Sequence, residues 1–135
     1  MKQYMTNAIN SSPTIAVAAG ADMTQPGGKA VKFSDGKAVL CSTAGERPIG
    51  IVTIDNDAEV KTDDIISVQV KDIGVALMGG AVAAGDELAV DANGALVKAA
   101  AGQYVAAVAL ASCASGEFGT VQLVSYKNGT VGGGA

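Results

Sequence analysis

The chain of 135 residues contains no histidine and no tryptophan, and its aromatic residues are limited to three tyrosines and two phenylalanines. Without histidine it lacks the commonest general base, catalytic-triad partner and zinc ligand. Its two cysteines, Cys41 and Cys113, have no neighbouring base or cation in the sequence that would activate a thiol nucleophile. We therefore predict no catalytic site, no bound cofactor and no enzymatic activity.

Basic residues and long apolar runs are also scarce. Nine Lys and Arg stand against thirteen Asp and Glu, which gives a formal net charge of -4 and an isoelectric point near 4.6. Because the basic residues are scattered, the sequence does not favour a nucleic-acid partner. No signal-peptide core or apolar run of membrane-spanning length is present, so we expect no membrane association. The two cysteines are interpreted as buried thiols rather than as a disulfide.

Small apolar residues are what the chain has in abundance. Hydrophobic residues make up 49% of it and aromatic residues only 4%, so alanine and valine supply most of the apolar side chains. Each small side chain removes little area from water, at about 25 cal/mol per Å². A core built from them is only modestly stable, and association with other copies or with a partner would supply the missing burial.

A strand-turn-strand-turn-strand pattern occurs twice, at an offset of 57 or 58 residues. In the second unit, short strands flank Asn93-Gly94, a dipeptide typical of type I′ hairpin turns. If the two units fold alike, Leu88 and Val97 occupy core positions equivalent to Val31 and Val39. The alternative is that any β protein rich in glycine and alanine looks repetitive. Six glycines match between the units, namely Gly28 with Gly85, Gly36 with Gly94 and Gly45 with Gly102.

The short apolar stretches predict an all-β fold, a single compact β-barrel or sandwich of about nine short strands. Residues 65–78 form either one long bent strand or two strands with a kink at residues 72–74. We expect three parts in the chain: an N-terminal arm over residues 1–13, an all-β domain over residues 14–126, and a flexible glycine-rich tail over residues 127–135.

An acidic loop at residues 55–64 is the best candidate for a metal site. Asp55, Asn56, Asp57 and Glu59 offer the oxygen ligands that Ca²⁺ prefers. The loop lacks the spacing and the bidentate glutamate of an EF-hand, so we interpret it as a solvated hairpin loop and predict no metal site. A small metal-binding β-barrel domain stays open as an alternative on this loop alone.

Several glycine-based motifs follow one another in a recognisable order between residues 14 and 124. They are GERPIGIV at residues 45–52, VQV at 68–70, IGVA at 73–76, GAVAAGD at 80–86 and DANG at 91–94. Each motif alone is weak, but their order resembles that of the bacteriophage capsid cement, or head decoration, proteins. The resemblance covers nearly the whole domain.

The resemblance implies a non-enzymatic structural protein that binds the outer surface of a phage head and stabilises it. Its partner would be the major capsid protein, and such proteins are often homotrimers at threefold positions between capsid subunits. The protein would be made in the host cytoplasm and end in the virion. A carbohydrate- or cell-surface-binding β domain is the alternative, although few aromatic residues are present for sugar stacking.

Two groups of residues are predicted to form contacts. In the arm, the isolated apolar residues Tyr4, Met5 and Ile9 are candidates for capsid contact. The low-charge segment over residues 73–85 is a candidate for self-association, because charged residues are depleted at interface centres. The residues predicted for self-association are Val75, Leu77, Met78 and Val82.

Overall fold

The computed structural model describes residues 12–54 and 58–128, and all regular secondary structure in these residues is β. The all-β prediction is therefore confirmed. The expected number of strands, about nine, is too low, because strands of two residues show no alternation that a sequence pattern could reveal. The twelve strands are β1 (Thr14–Ala18), β2 (Met23–Thr24), β3 (Ala30–Ser34), β4 (Lys37–Leu40), β5 (Gly50–Val52), β6 (Glu59–Val60), β7 (Ile65–Gln69), β8 (Ile73–Leu77), β9 (Glu87–Val90), β10 (Leu96–Lys98), β11 (Tyr104–Ala109) and β12 (Phe118–Lys127).

The strands form two five-stranded antiparallel sheets in a sandwich-like arrangement rather than one closed barrel. The first sheet has the order β4-β3-β5-β7-β1, and the second has the order β10-β9-β11-β12-β8. Strands β2 and β6 form a separate two-stranded pair. None of the described residues belongs to a helix that could cross a membrane.

The two sheets repeat one topology. When the five strands of each sheet are numbered from 1 to 5 along the chain, leaving out β2 and β6, their order across the sheet is 3-2-4-5-1 in both sheets. The counterpart of the β2–β6 pair is an isolated antiparallel bridge between Val82 and Cys113. We call residues 14–70 the first repeat and residues 73–127 the second repeat. The duplication thus covers five strands, two more than the sequence pattern predicted.

Backbone hydrogen bonds agree between the repeats. In the first repeat, the N–H of Gly28 donates to the carbonyl of Val52 at 2.8 Å, and in the second, the N–H of Gly85 donates to the carbonyl of Ala109 at 2.7 Å. All six matched glycines have φ between 77° and 91°. The predicted duplication of turns is therefore present in the fold.

The type I′ turn was assigned to the wrong hairpin. Asp35 and Gly36, between β3 and β4, both have positive φ (51° and 77°), as a two-residue type I′ turn requires. Between β9 and β10 only Gly94 has positive φ. There the Asp91 carboxylate accepts hydrogen bonds from the backbone N–H of Asn93 at 2.8 Å and of Ala95 at 3.0 Å, which closes a wider turn.

Each repeat has its own hydrophobic core. Val31 and Leu88 are fully buried at equivalent positions, as predicted, but Val39 and Val97 are only half-buried. The prediction that this second pair lies in the core is wrong, because the strand alternation places the preceding residue of β4 and β10 inward instead. The first core holds Val17, Ala19, Met23, Val31, Ala38, Val52, Val60, Ile66 and Val68. The second holds Ala76, Met78, Val82, Leu88, Val90, Leu96, Ala106, Ala107, Ala109 and Val121, together with Ala30, Cys41 and Ile51 of the first repeat.

Residues 65–78 form two strands, one of the two arrangements that the sequence left open. The break lies between β7 and β8, where Asp72 has φ of 70°. The Gln69 side-chain amide donates to the backbone carbonyls of Lys71 and Ile73, both at 2.8 Å, and so fixes the connection. This short connection joins the two repeats.

Candidate interaction surfaces

The two repeats contact each other through different surfaces. The first repeat contributes what we call the covering surface, formed by Gly28, Ala30, Cys41, Gly45 and Ile51. The second repeat contributes the receiving surface, formed by Leu77, Val90, Gly94, Gln103 and Tyr104. Four backbone hydrogen bonds join them: Leu77 N to Gly28 O at 2.9 Å, Ala30 N to Gly94 O at 2.8 Å, Gly45 N to Val90 O at 2.9 Å and Tyr104 N to Gly45 O at 3.0 Å.

The contact is head-to-tail rather than twofold. Gly45 donates its N–H to the other repeat, whereas its counterpart Gly102 donates to Asn128, the residue directly after the second repeat, at 3.2 Å. Ala30, Cys41 and Ile51 pack into the core of the second repeat. A head-to-tail contact leaves one copy of each surface uncovered, on opposite repeats.

The exposure of equivalent residues in the two repeats agrees with this head-to-tail contact. The counterpart of the buried Val90 is Phe33, whose side chain is 53% exposed. The counterpart of the fully buried Ala30 is Glu87, which is exposed. The uncovered receiving surface on the first repeat is Ala18, Phe33, Gly36, Glu46 and Arg47, and the uncovered covering surface on the second repeat is Gly85, Glu87, Ala99, Gly102 and Val108.

An open groove adjoins the uncovered receiving surface. It has a volume of about 690 Å³. Phe33 and Arg47 line it from the first repeat, Leu123 lines it from the second, and Ile15 and Val70 are partly exposed at its wall. Sequence reasoning missed this site because its apolar residues come from separate strands and look like ordinary core positions in the sequence.

A second groove, of about 570 Å³, lies where the repeats meet on another side. Ile54 and Phe118, exposed by 57% and 55%, give it an apolar wall, and Lys29 also lines it. Both phenylalanines of the chain therefore project from the fold, one into each groove. In a chain so poor in aromatic residues, this exposure makes the grooves candidate interaction surfaces.

An ion pair fixes the loop that carries Arg47. Lys32 Nζ lies 2.8 Å from Glu46, and the other oxygen of Glu46 accepts the backbone N–H groups of Ser42 and Thr43, each at 2.8 Å. Burial raises the pKa of Glu46, but the hydrogen bonds from Lys32, Thr43 and Ser42 outweigh it, so the pKa is lowered overall. Arg47 in turn donates to the Ser125 hydroxyl of the second repeat at 3.2 Å.

The residues predicted for self-association do not form one surface. Met78 and Val82 are buried in the core of the second repeat, at 1% and 7% exposure. Val75 and Leu77 are half-buried, and Leu77 lines the second groove. Met78 and Val82 therefore present no side-chain surface to another copy.

The predicted capsid-contact residues, Tyr4, Met5 and Ile9, lie outside the described residues. The same holds for three of the four candidate metal ligands, Asp55, Asn56 and Asp57.

The remainder of the acidic loop makes local contacts. Glu59 accepts a hydrogen bond from the Thr24 hydroxyl at 3.4 Å, and Asp63 pairs with Lys37. Within residues 12–54 and 58–128, no group of three or more Cys, Asp or Glu is arranged to hold a metal ion.

The two cysteines are both free thiols. Cys41 is buried where the repeats meet, and burial raises its pKa to about 12. Cys113 is half-buried, and its thiol lies near the backbone carbonyls of Ala114 and Glu117. The interpretation as a buried thiol is confirmed for Cys41 and is wrong for Cys113, which is only half-buried.

Comparisons with known proteins give a match by structure. No protein-family model and no curated protein sequence matches the chain. Among solved structures, the chain is similar to the head fiber gp8.5 N base of bacteriophage phi29, with a TM-score of 0.61 and 14% sequence identity. The similarity covers 82% of this chain and 92% of the phi29 chain. The chain therefore shares its fold with a protein of a phage head.

Proposed function

We propose that the protein is a structural component of a bacteriophage head, which decorates the outer surface of the capsid without catalysing a reaction. The observation that carries this proposal is the similarity of almost the whole fold to a phage head fiber base. The order of the GERPIGIV, VQV, GAVAAGD and DANG motifs, which resembles that of the head decoration proteins, supports it from a separate direction.

The surface of the domain suits a protein that works by binding. Phe33, Ile54 and Phe118 each expose more than half of their surface, and two of them line the second groove. A lone exposed apolar residue is ordinary, but grouped ones mark sites of interaction. We assign the second groove, together with the N-terminal arm, to contact with the major capsid protein.

Several arms that bind together strengthen the attachment. If three chains associate, three arms are presented together, and the effective concentration of the second and third contacts rises to roughly millimolar. Individually weak contacts from Tyr4, Met5 and Ile9 then give stable occupancy of the head. Binding to the assembled shell alone stabilises that shell by mass action.

The test is co-sedimentation of purified protein with undecorated heads of the phage whose genome carries this sequence. We expect saturable binding that is weakened by deletion of residues 2–11, which leaves every described residue in place, and by Phe118→Asp in the second groove. Ile73→Asp, at a residue 63% exposed outside both grooves, is the matched control and should bind as the parent does. Protein that stays in the supernatant at every concentration would contradict the proposal.

A further inference from the structure

We propose that the uncovered receiving surface of the first repeat binds the uncovered covering surface of the second repeat in another copy of the chain. The contact between copies would repeat the contact that already joins the two repeats inside one chain. This inference concerns self-association alone and does not depend on attachment to a phage head.

Equivalent positions of the two repeats differ in burial. Val90 and Gly94 are buried by the first repeat, whereas their counterparts Phe33 and Gly36 are exposed. A position that faced only solvent would be expected to carry a polar side chain, yet Phe33 keeps an apolar one. Ile49, next to it in the groove, is also only partly covered. The first repeat thus retains the apolar character of a covered surface.

The matched glycines differ in the free space beside them. A Cβ on Gly28 would meet the Phe118 ring at 2.7 Å, one on Gly45 would meet the Gln103 side chain at 2.5 Å, and one on Gly94 would meet the Ala30 carbonyl at 3.3 Å. The counterparts of these three glycines have no atom within 4 Å of such a Cβ; they are Gly85, Gly102 and Gly36. All three open positions lie on the two uncovered surfaces, where a second copy would occupy the space.

The two uncovered surfaces also carry different charges. The uncovered covering surface carries Glu87, with Asp86 beside it, while Arg47 lies on the uncovered receiving surface and Lys37 follows Gly36. Asp35 is the acidic residue of that turn. Superposing the internal contact, in which Ala30 lies against Gly94, onto a pair of copies brings Asp86 and Glu87 to the turn that carries Lys37, whose ammonium group also pairs with Asp63 of its own chain. Opposite charges at the rim of an interface favour one orientation of approach.

The contact is heterologous, because the two surfaces differ, so it closes into a ring or continues as a filament. A ring of three chains would contain six repeats, each contacting the next in the same way. This arrangement agrees with the threefold association expected from the sequence. The two uncovered surfaces replace the self-association surface predicted from the sequence, which consists of Val75, Leu77, Met78 and Val82.

Sedimentation velocity tests the surface with one variant on each side. Phe33→Asp introduces a charge on the receiving surface, and Glu87→Arg reverses a charge on the covering surface. Ile73→Asp is the matched control, because it places the same charge on an exposed apolar residue outside both surfaces. We expect the parent and the control to form the same closed oligomer, and each interface variant to be monomeric with an unchanged circular dichroism spectrum.

Mixing the two monomeric variants distinguishes a heterologous contact from a twofold one. Phe33→Asp retains an intact covering surface, and Glu87→Arg retains an intact receiving surface, so the mixture should associate through this one intact pair of surfaces. A parent protein that is monomeric at micromolar concentration would overturn the inference. Variants that remain oligomeric while folded, or an equimolar mixture that stays monomeric, would also overturn it.

Discussion

Met78 occupies the space that Gly119 leaves open in the core of the second repeat. A Cβ on Gly119 would lie 3.1 Å from the Met78 Cε and 3.0 Å from the Cys113 Cβ. In the first repeat the sizes are exchanged: the small Ala19 is equivalent to Met78, and the large Ile66 is equivalent to Gly119. Ala19 and Ile66 are both buried. The two cores therefore place the large and the small side chain of this pair at opposite positions.

This exchange predicts coupling between the two positions. Met78→Ala should cost about 2–5 kcal/mol because it leaves a cavity, and Gly119→Val should cost about 1–3 kcal/mol because it overpacks the core. The double variant should be less destabilised than the sum of the two by at least about 1 kcal/mol. Urea unfolding in the Phe33→Asp background measures the cycle without a contribution from self-association. If the changes in the free energy of unfolding caused by the two substitutions are additive, the two side chains do not share space.

The pair of Lys32 and Glu46 predicts a loss of stability in acid. The folded pKa of Glu46 lies below its ordinary value of 4.5, so its contribution is fully present above pH 4.5 and is lost as the pH falls through the lower, folded pKa. Glu46→Gln should flatten the pH dependence in this range. The counterpart Gln103 accepts the N–H of Ala100 at 2.9 Å, so glutamine can serve this turn.

Urea unfolding between pH 6 and about pH 3 checks the Glu46 prediction. Glu117→Gln, which neutralises an exposed carboxylate elsewhere in the second repeat, is the matched control. If both variants keep the parent's slope of stability against pH, the pKa of Glu46 is the same in the folded and unfolded states. The lowered pKa that we attribute to the hydrogen bonds of Glu46 would then be wrong.

Local patterns in the sequence predicted much of the fold. Period-two alternation located most of the longer strands, and matched glycines such as Gly28 and Gly85 revealed the duplication, because a positive φ constrains the residue type. The pattern missed β2 and β6, since two residues carry no period. It also misplaced the type I′ turn, because Asn93-Gly94 is overridden by the hydrogen bonds of the Asp91 carboxylate.

The interaction surfaces could not be predicted from such patterns. Phe33 and its counterpart Val90 are both apolar residues at equivalent strand positions, yet only Val90 is covered by the other repeat. Which of them is exposed depends on the direction of the contact between repeats, a tertiary property. In the same way, the low charge of residues 73–85 did not reveal that Met78 and Val82 are buried in the core of the second repeat.

A glycine comparison tests the contact between the repeats inside the chain. Alanine at Gly28 or Gly85 pays the cost of a positive φ, about 1–2 kcal/mol. At Gly28 the new Cβ also meets the Phe118 ring and the backbone N of Leu77, whereas at Gly85 it meets nothing. Gly28→Ala should therefore be more destabilising than Gly85→Ala, as measured by urea unfolding in the Phe33→Asp background. Equal losses for the two variants would contradict the packing described at Gly28.

The two thiols should differ in reactivity. Cys41 is 1% exposed and its pKa is raised to about 12, so at neutral pH it is neither accessible nor ionised. A thiol-reactive disulfide reagent should label one cysteine per folded chain promptly and two after unfolding. Cys113→Ser should abolish the prompt reaction. A prompt reaction that persists in Cys113→Ser and vanishes in Cys41→Ser would mean that the repeats separate readily.

We propose that the protein stabilises an assembled phage head by binding its outer surface. The most direct measurement is the temperature at which undecorated heads rupture, recorded with increasing amounts of added protein. Because binding to the assembled shell alone stabilises it by mass action, the rupture temperature should rise with protein concentration until the sites are filled, and the deletion of residues 2–11 should shift that rise to higher concentration. A rupture temperature that stays unchanged when the heads are saturated with bound protein would contradict the claim.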